Sequence, residues 1–263
     1  MAFRNNDAVV TSAMLITVDA NRANDTYFAD GPTAFVFQNG PTGDDIFLNF
    51  DFDDVILTAR SIFDDDNNGF ISGGPNNVID IDRTSPGNAG EDQIQIAWSS
   101  NSLNELRTLG SKLGQFAYAD SLTLKNLWSQ FGQENVIEGT IANNRLTAQD
   151  GAKVILHDNA LGLNLGSDTI CGFGDDDLLI TTRQLFDGNG DGVISFGRNH
   201  VLDASGATGP NSTDPSKGLG GQLKFVDADL QSLDYLGSQE INGITYYYYG
   251  TNGSDYVPGS DLA

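Results

Sequence analysis

The amino-acid sequence predicts a mostly β fold, built by tandem duplication of a module of roughly 120 residues. The copies are expected to stand in a pseudo-two-fold relation, with one amphipathic helix linking them. Three observations carry this expectation: a long gapless internal match, a series of short β-branched and aromatic runs, and a single stretch with helical spacing of apolar residues.

The match joins Gly43–Asp80 to Gly166–Asp203 at a constant offset of 123 positions. Asp45/Asp168, Phe50/Phe173, Asp54/Asp177, Thr58/Thr181, Arg60/Arg183, Asp64/Asp187, Gly69/Gly192 and Ile71/Ile194 are among its identical pairs. The similarity continues more loosely downstream, where Leu103–Ser111 resembles Leu230–Ser238 and an aromatic segment follows each. Two copies are too few for a solenoid of short repeats, so a pair of modules sharing one core, or two adjacent sandwiches, is expected. The modules are placed at 1–138 and 139–263.

The strand signals are FVFQ, DIFLNF, DVILTA, NVIDI, QIQIAW, LLITT, QLKFV and TYYYY, bounded by Gly, Asn or Asp. The moderately apolar run Ala8–Val18 also reads as a strand, because Thr11, Ser12 and Thr17 interrupt it and only Arg4 precedes it. The helix is expected near 121–135. There Leu124, Leu127, Trp128 and Phe131 recur at helical spacing, Ser121 is the expected N-cap, and the apolar stripe reads as core.

Charge says more about function. The chain of 263 residues carries 36 acids against 13 Lys and Arg, a formal net charge of −23, and only five of the acids are Glu. Asp is the short carboxylate of turns and of oxygen cages around hard cations. The acidity therefore points to bound cations, with a simply acidic surface as the alternative, and it argues against nucleic acid as a partner. One cysteine, Cys171, excludes an intrachain disulfide, and two histidines leave little for a zinc site of the His/Cys type or a Ser–His triad. No run is long and apolar enough to be read as a helical membrane span.

The two loops at 64–75 and 187–198 supply the chemistry. Asp64, Asp66 and Asn68, and in the second copy Asp187, Asn189 and Asp191, put oxygens at positions 1, 3 and 5, with Gly69 or Gly192 at position 6. Three short side chains spaced by two can curl around one cation, while the glycine turns the next carbonyl inward. Phe70 and Val193 are thus expected to supply that carbonyl, and Ile71 and Ile194 to anchor the loops. The pattern is EF-hand-like and the expected ion is Ca2+. Position 12, where a bidentate Glu belongs, is Pro75 or Arg198. Asp80 and Asp203, or Asp54 and Asp177, are the candidates to replace it. Without a replacement, affinity should fall to ~10⁻⁴–10⁻³ M, the extracellular range.

Gly166–Leu178 (GSDTICGFGDDDL) resembles the Gly- and Asp-rich nonapeptides of RTX proteins, bacterial calcium-binding proteins exported by type I secretion. Gly166 and Gly174 lie one residue short of that family's spacing, and the first copy has the degenerate GDDIFLNFDFDDV. The closing GSDLA looks like an uncleaved type I secretion signal. The resemblance implies export without calcium and folding outside the cell, where calcium is abundant.

What the chain does with calcium is left open between three readings. The first is a matrix, adhesion or cell-surface module with structural calcium and no catalytic residues. The second is a calcium-dependent binder of extracellular glycans, with Tyr118 and Tyr246–Tyr249 as stacking faces. The third is a glycan-degrading enzyme using a carboxylate pair. Arg60 and Arg183 are expected to pair with nearby Asp residues, and His200 to be a surface or turn residue.

Overall fold

The computed structural model describes residues 16–38, 40–82, 90–197, 200–204, 221–226, 230–260 and 262. It divides after Leu122 into two compact units, each with its own buried core. The first half contains β1 (Ile16–Asp19), β2 (Thr26–Phe28), β3 (Thr33–Phe37), β4 (Asp45–Phe50) and β5 (Val55–Thr58). It continues through β6 (Phe70–Ser72), β7 (Val78–Asp80), β8 (Gln93–Trp98), β9 (Glu105–Lys112) and β10 (Gln115–Asp120). After α1 (Leu122–Phe131) come β11 (Val136–Glu138), β12 (Arg145–Thr147), β13 (Val154–His157), β14 (Ser167–Cys171) and β15 (Leu178–Thr181). The chain closes with β16 (Val193–Ser195), β17 (Val201–Asp203), β18 (Gln222–Phe225), β19 (Ser232–Ile241) and β20 (Ile244–Gly250).

The duplication extends to every described strand. One sheet runs β1-β3-β5-β10-β9-β6 in the first half and β11-β13-β15-β20-β19-β16 in the second. The other runs β2-β4-β8-β7 and β12-β14-β18-β17. Between β1 and β5 the chain visits the two sheets alternately, and like strands stack in parallel, Thr17 beside Ala34 and Ala34 beside Val55. Each half thus opens as a flattened parallel coil and finishes with antiparallel strands. The parallel strands β3, β5, β13 and β15 are buried at every position, as strands covered on both faces must be, and this explains their unbroken apolar runs. In β8 the faces separate, with Ile94 and Ile96 in the core and Gln95 exposed.

The two cores differ in substance. Phe35 on β3 stacks on Phe47 of β4 with ring centroids 4.0 Å apart, and Phe50 joins them. At the matching places the second core has Ile155, Ile170 and Phe173.

Buried aspartates lace successive turns of each coil together. Asp45 Oδ1 accepts the N–H of Asp25 at 3.0 Å, and Asp168 Oδ1 that of Asn144 at 2.7 Å. Asp54 accepts from Thr33 and Asp51, both at 2.9 Å; Asp177 accepts from Lys153 at 2.7 Å and Gly174 at 2.8 Å. A turn N–H left unpaired in the interior would be costly, and a carboxylate is a strong acceptor for it. Part of the Asp excess therefore has a structural use that needs no metal.

Helix α1 buries Leu124, Leu127 and Phe131, as the spacing predicts. Side-chain contacts tie it to the second half: Asn126 Nδ2 donates to Tyr246 OH at 3.0 Å, and Tyr246 OH donates to Thr123 O at 2.9 Å. With β11 paired to β13, the segment 123–138 belongs with the second unit rather than closing the first. Asp120, not Ser121, takes the N–H of Leu122 at the start of the helix, at 2.7 Å. Of the strand expected over Ala8–Val18 only Ile16–Val18, within β1, is described; the rest lies outside the described residues, as do Asp261 and Ala263 of the closing GSDLA and Arg198 of the second loop.

Candidate metal centre

The two loops hang from equivalent anchors. Tyr118 of β10 and Tyr249 of β20 are buried, and their hydroxyls accept the N–H of Ile62 and Leu185, each at 2.8 Å. These bonds fix the chain two residues before Asp64 and Asp187. Ile71 and Ile194, the expected anchors beyond the loops, are buried in the two cores.

Within the loops the position-1 carboxylate organises the backbone. Asp64 accepts from Asn67 at 2.9 Å and Gly69 at 2.8 Å; Asp187 accepts from Gly190 at 2.8 Å and Gly192 at 2.7 Å. Gly69 and Gly192 have φ of +85° and +82°, a left-handed conformation that side chains oppose. Asn68 Oδ1 and Asp191 Oδ1 accept from Phe70 and Val193 at 2.7 and 2.8 Å. Positions 3 and 5 meet as well, Asn68 Nδ2 with Asp66 Oδ2 and Asn189 Nδ2 with Asp191 Oδ2, both at 2.8 Å. Both loops therefore draw their three oxygen-bearing side chains into one curl.

Electrostatics agree with that geometry. Partial burial would raise Asp64, but the N–H of Gly69, the Asp66 side chain and further loop N–H groups outweigh it and hold Asp64 below the usual carboxylate range. The Gly192 N–H, then those of Gly190 and Asn189, do the same for Asp187. Both carboxylates stay ionised.

Asp80 and Asp203 close the equivalent strands β7 and β17. Asp80 lines one groove of about 560 Å³ with Asp64, Asp66 and Asn68, and its Oδ2 accepts from Gly90. Glu105 lines the same groove. It reaches it through the β6–β9 pairing, which sets Glu105 opposite Ser72, a relation no sequence spacing reveals. In the second half Ser232 faces Ser195 at the matching place. Asp54 and Asp177 lie before β5 and β15, at the other end of those strands from the loops, and are engaged with the coil turns.

A further acidic group was not singled out by the motif. Asp51, Asp53 and Asp54 each offer an oxygen within 4.8 Å of the others, a cluster that could hold a metal ion. Burial, reinforced by the charges of Asp51 and Asp53, pushes Asp54 up to about 8. Burial pushes Asp177 to about 6, against the N–H groups of Gly174 and Lys153, with the Asp176 charge adding to the rise and the Lys153 charge opposing it.

The remaining candidates resolve differently. Of the expected sugar-stacking residues, Tyr118, Tyr246, Tyr248 and Tyr249 are buried in the core, while Tyr247 is half-buried against the second core. Phe186 stands exposed just before the second loop, but single exposed rings are ordinary. His200, with φ +60°, meets Leu230 O through Nδ1 at 2.9 Å and is a turn residue. Arg60 and Arg183 offer their carbonyls to Thr58 and Thr181, and Arg60 lines a groove with Asp82, Glu91 and Asp92. No helix among the described residues is long and apolar enough to cross a membrane. Comparison with protein-family models, with curated proteins and with solved structures gave no match.

Proposed function

We propose that the chain is a secreted calcium-binding protein whose loops at 64–70 and 187–193 each hold a structural Ca2+, within a matrix, adhesion or cell-surface module. The observation that carries this reading is the shared loop geometry. Different side chains, Asp66 and Asn68 against Asn189 and Asp191, form the same curl around a position-1 Asp in both copies. All the donors are oxygens, which suits a hard cation, and an irregular cage of six to eight oxygens suits Ca2+ better than Mg2+. The shared groove favours Asp80 and Glu105 as substitutes for the missing position-12 carboxylate in the first copy, and Asp203 is the matching residue in the second. Type I export and folding in external calcium belong to the same reading and rest on the RTX-like stretch Gly166–Leu178.

The test is thermal unfolding of the chelator-stripped protein during a calcium titration, with magnesium as control. Calcium should raise Tm while magnesium has much less effect. Asp187→Ala and Asp64→Ala should each remove part of the rise, and the double variant nearly all of the part due to the loops. A Tm that ignores millimolar calcium would overturn the reading.

A further inference from the structure

We propose that the first module carries an additional site for a hard divalent cation, at the corner between β4 and β5, held by Asp51, Asp53, Asp54 and Asp120. This site is separate from the 64–70 loop and does not depend on it.

Two independent observations converge there. The first is the cluster of Asp51, Asp53 and Asp54 oxygens. The second is Asp120, a fully buried side chain. Its Oδ1 accepts from Leu122, while its Oδ2 has no hydrogen-bond partner. The β5–β10 register sets Ala119 opposite Val55. The next pair along these antiparallel strands is Asp120 and Asp54, and opposed residues of such a pair share a face. Burial raises Asp120 and the Asp51 charge adds to it, whereas Ser102, Leu122 and Arg107 oppose the rise. Arg107 is itself buried and directs one guanidinium N–H to the Asp120 backbone carbonyl. The three clustered carboxylates and the neighbouring Asp120, with Arg107 acting at Asp120, leave an excess of negative charge in a partly dry corner. A cation with an appetite for oxygen ligands resolves that excess, and calcium is the best fit.

The duplication provides an internal control. Asp51 corresponds to Gly174, and the β15–β20 register makes Thr251 the counterpart of Asp120. In the second module the Thr251 hydroxyl donates to Asp175, so a hydrogen bond closes the corner at the position where the first module has Asp120, whose Oδ2 has none. The same backbone is thus finished in two ways, and only one of them calls for a cation.

Terbium(III), a calcium-sized probe sensitised by nearby indole, tests this on the full chain. Trp98 is in register with Phe50, next to Asp51, and packs edge-on against it with centroids 5.2 Å apart. The chelator-stripped Asp64→Ala/Asp187→Ala protein should keep one terbium equivalent, with tryptophan-sensitised emission that calcium displaces and Trp98→Phe abolishes. Asp51→Gly/Asp120→Thr, which installs the second module's residues, should lose one equivalent and that emission with an unchanged far-UV CD spectrum. Asp51→Asn, a milder change, should weaken binding at least tenfold. Unchanged stoichiometry and emission in the corner variant, or unchanged affinity in Asp51→Asn, would overturn the site. Failure of the loops alone would instead show as an Asp64→Ala/Asp187→Ala protein that binds as many ions as the wild type.

Discussion

The two modules have the same strand order and pairings, yet they differ where charge meets burial. In the first, burial with two acidic neighbours, Asp51 and Asp53, pushes Asp54 up to about 8; in the second, burial takes Asp177 to about 6, with one acidic neighbour, Asp176, and the opposing charge of Lys153. The first loop opens on a groove that also holds Asp80 and Glu105, while Ser232 stands where Glu105 would be. The backbone tolerates these differences because its hydrogen bonds run through features common to both copies: the Asp staples and the buried tyrosine hydroxyls. What was free to diverge is the charge around that frame, and the first module carries the denser cluster of carboxylates.

The largest expected effect is on pH dependence. A carboxyl whose folded pKa is raised binds its proton more tightly in the native state, so stability falls as pH rises from the unfolded value to the folded one. In chelator, stability should fall between about pH 4 and 8 by an amount on the order of several kcal/mol, with Asp54 responsible for the part above pH 6. Asp54→Asn should flatten the Tm profile between pH 6 and 8, whereas Asp177→Asn should change it only below about 6. Equal profiles for the two variants would erase the contrast between the modules.

Next in size are the tyrosine anchors. Tyr118→Phe and Tyr249→Phe each leave a buried N–H unpaired, at Ile62 and Leu185. Each should cost about 1–3 kcal/mol in urea unfolding, and the two costs should be similar because the geometry is shared. The smallest effect concerns the second loop: Asn189→Asp adds a carboxylate at position 3 and should tighten calcium several-fold in a titration, since ligand charge tunes such loops. If affinity does not change, position 3 does not touch the ion.

Much of the fold was legible because strand patterning is local. FVFQ, DVILTA and LLITT form the buried parallel strands, and TYYYY forms β20. The gapless match exposed the duplication, and the helical spacing of Leu124, Leu127 and Phe131 exposed α1. The candidate site was legible only in part. The loops declare themselves through three oxygens and a glycine within six residues, but Glu105 comes to the groove from a strand more than thirty positions later. Asp120 and the Asp51 cluster carry no motif at all.

By itself, then, the sequence determined the β character, the two copies, the helix and the loops, because each depends on neighbours within a few residues or on direct repetition. The tertiary structure alone decided how the aspartates divide their work. Asp45, Asp54, Asp168 and Asp177 find their N–H partners about one coil turn earlier in the chain, and Asp120 comes to the end of β5 only because β5 and β10 pair. Carboxylates that staple a turn and carboxylates that gather with others look alike in composition, and Asp54 does both; what sorts them is which donors and acceptors folding brings to each.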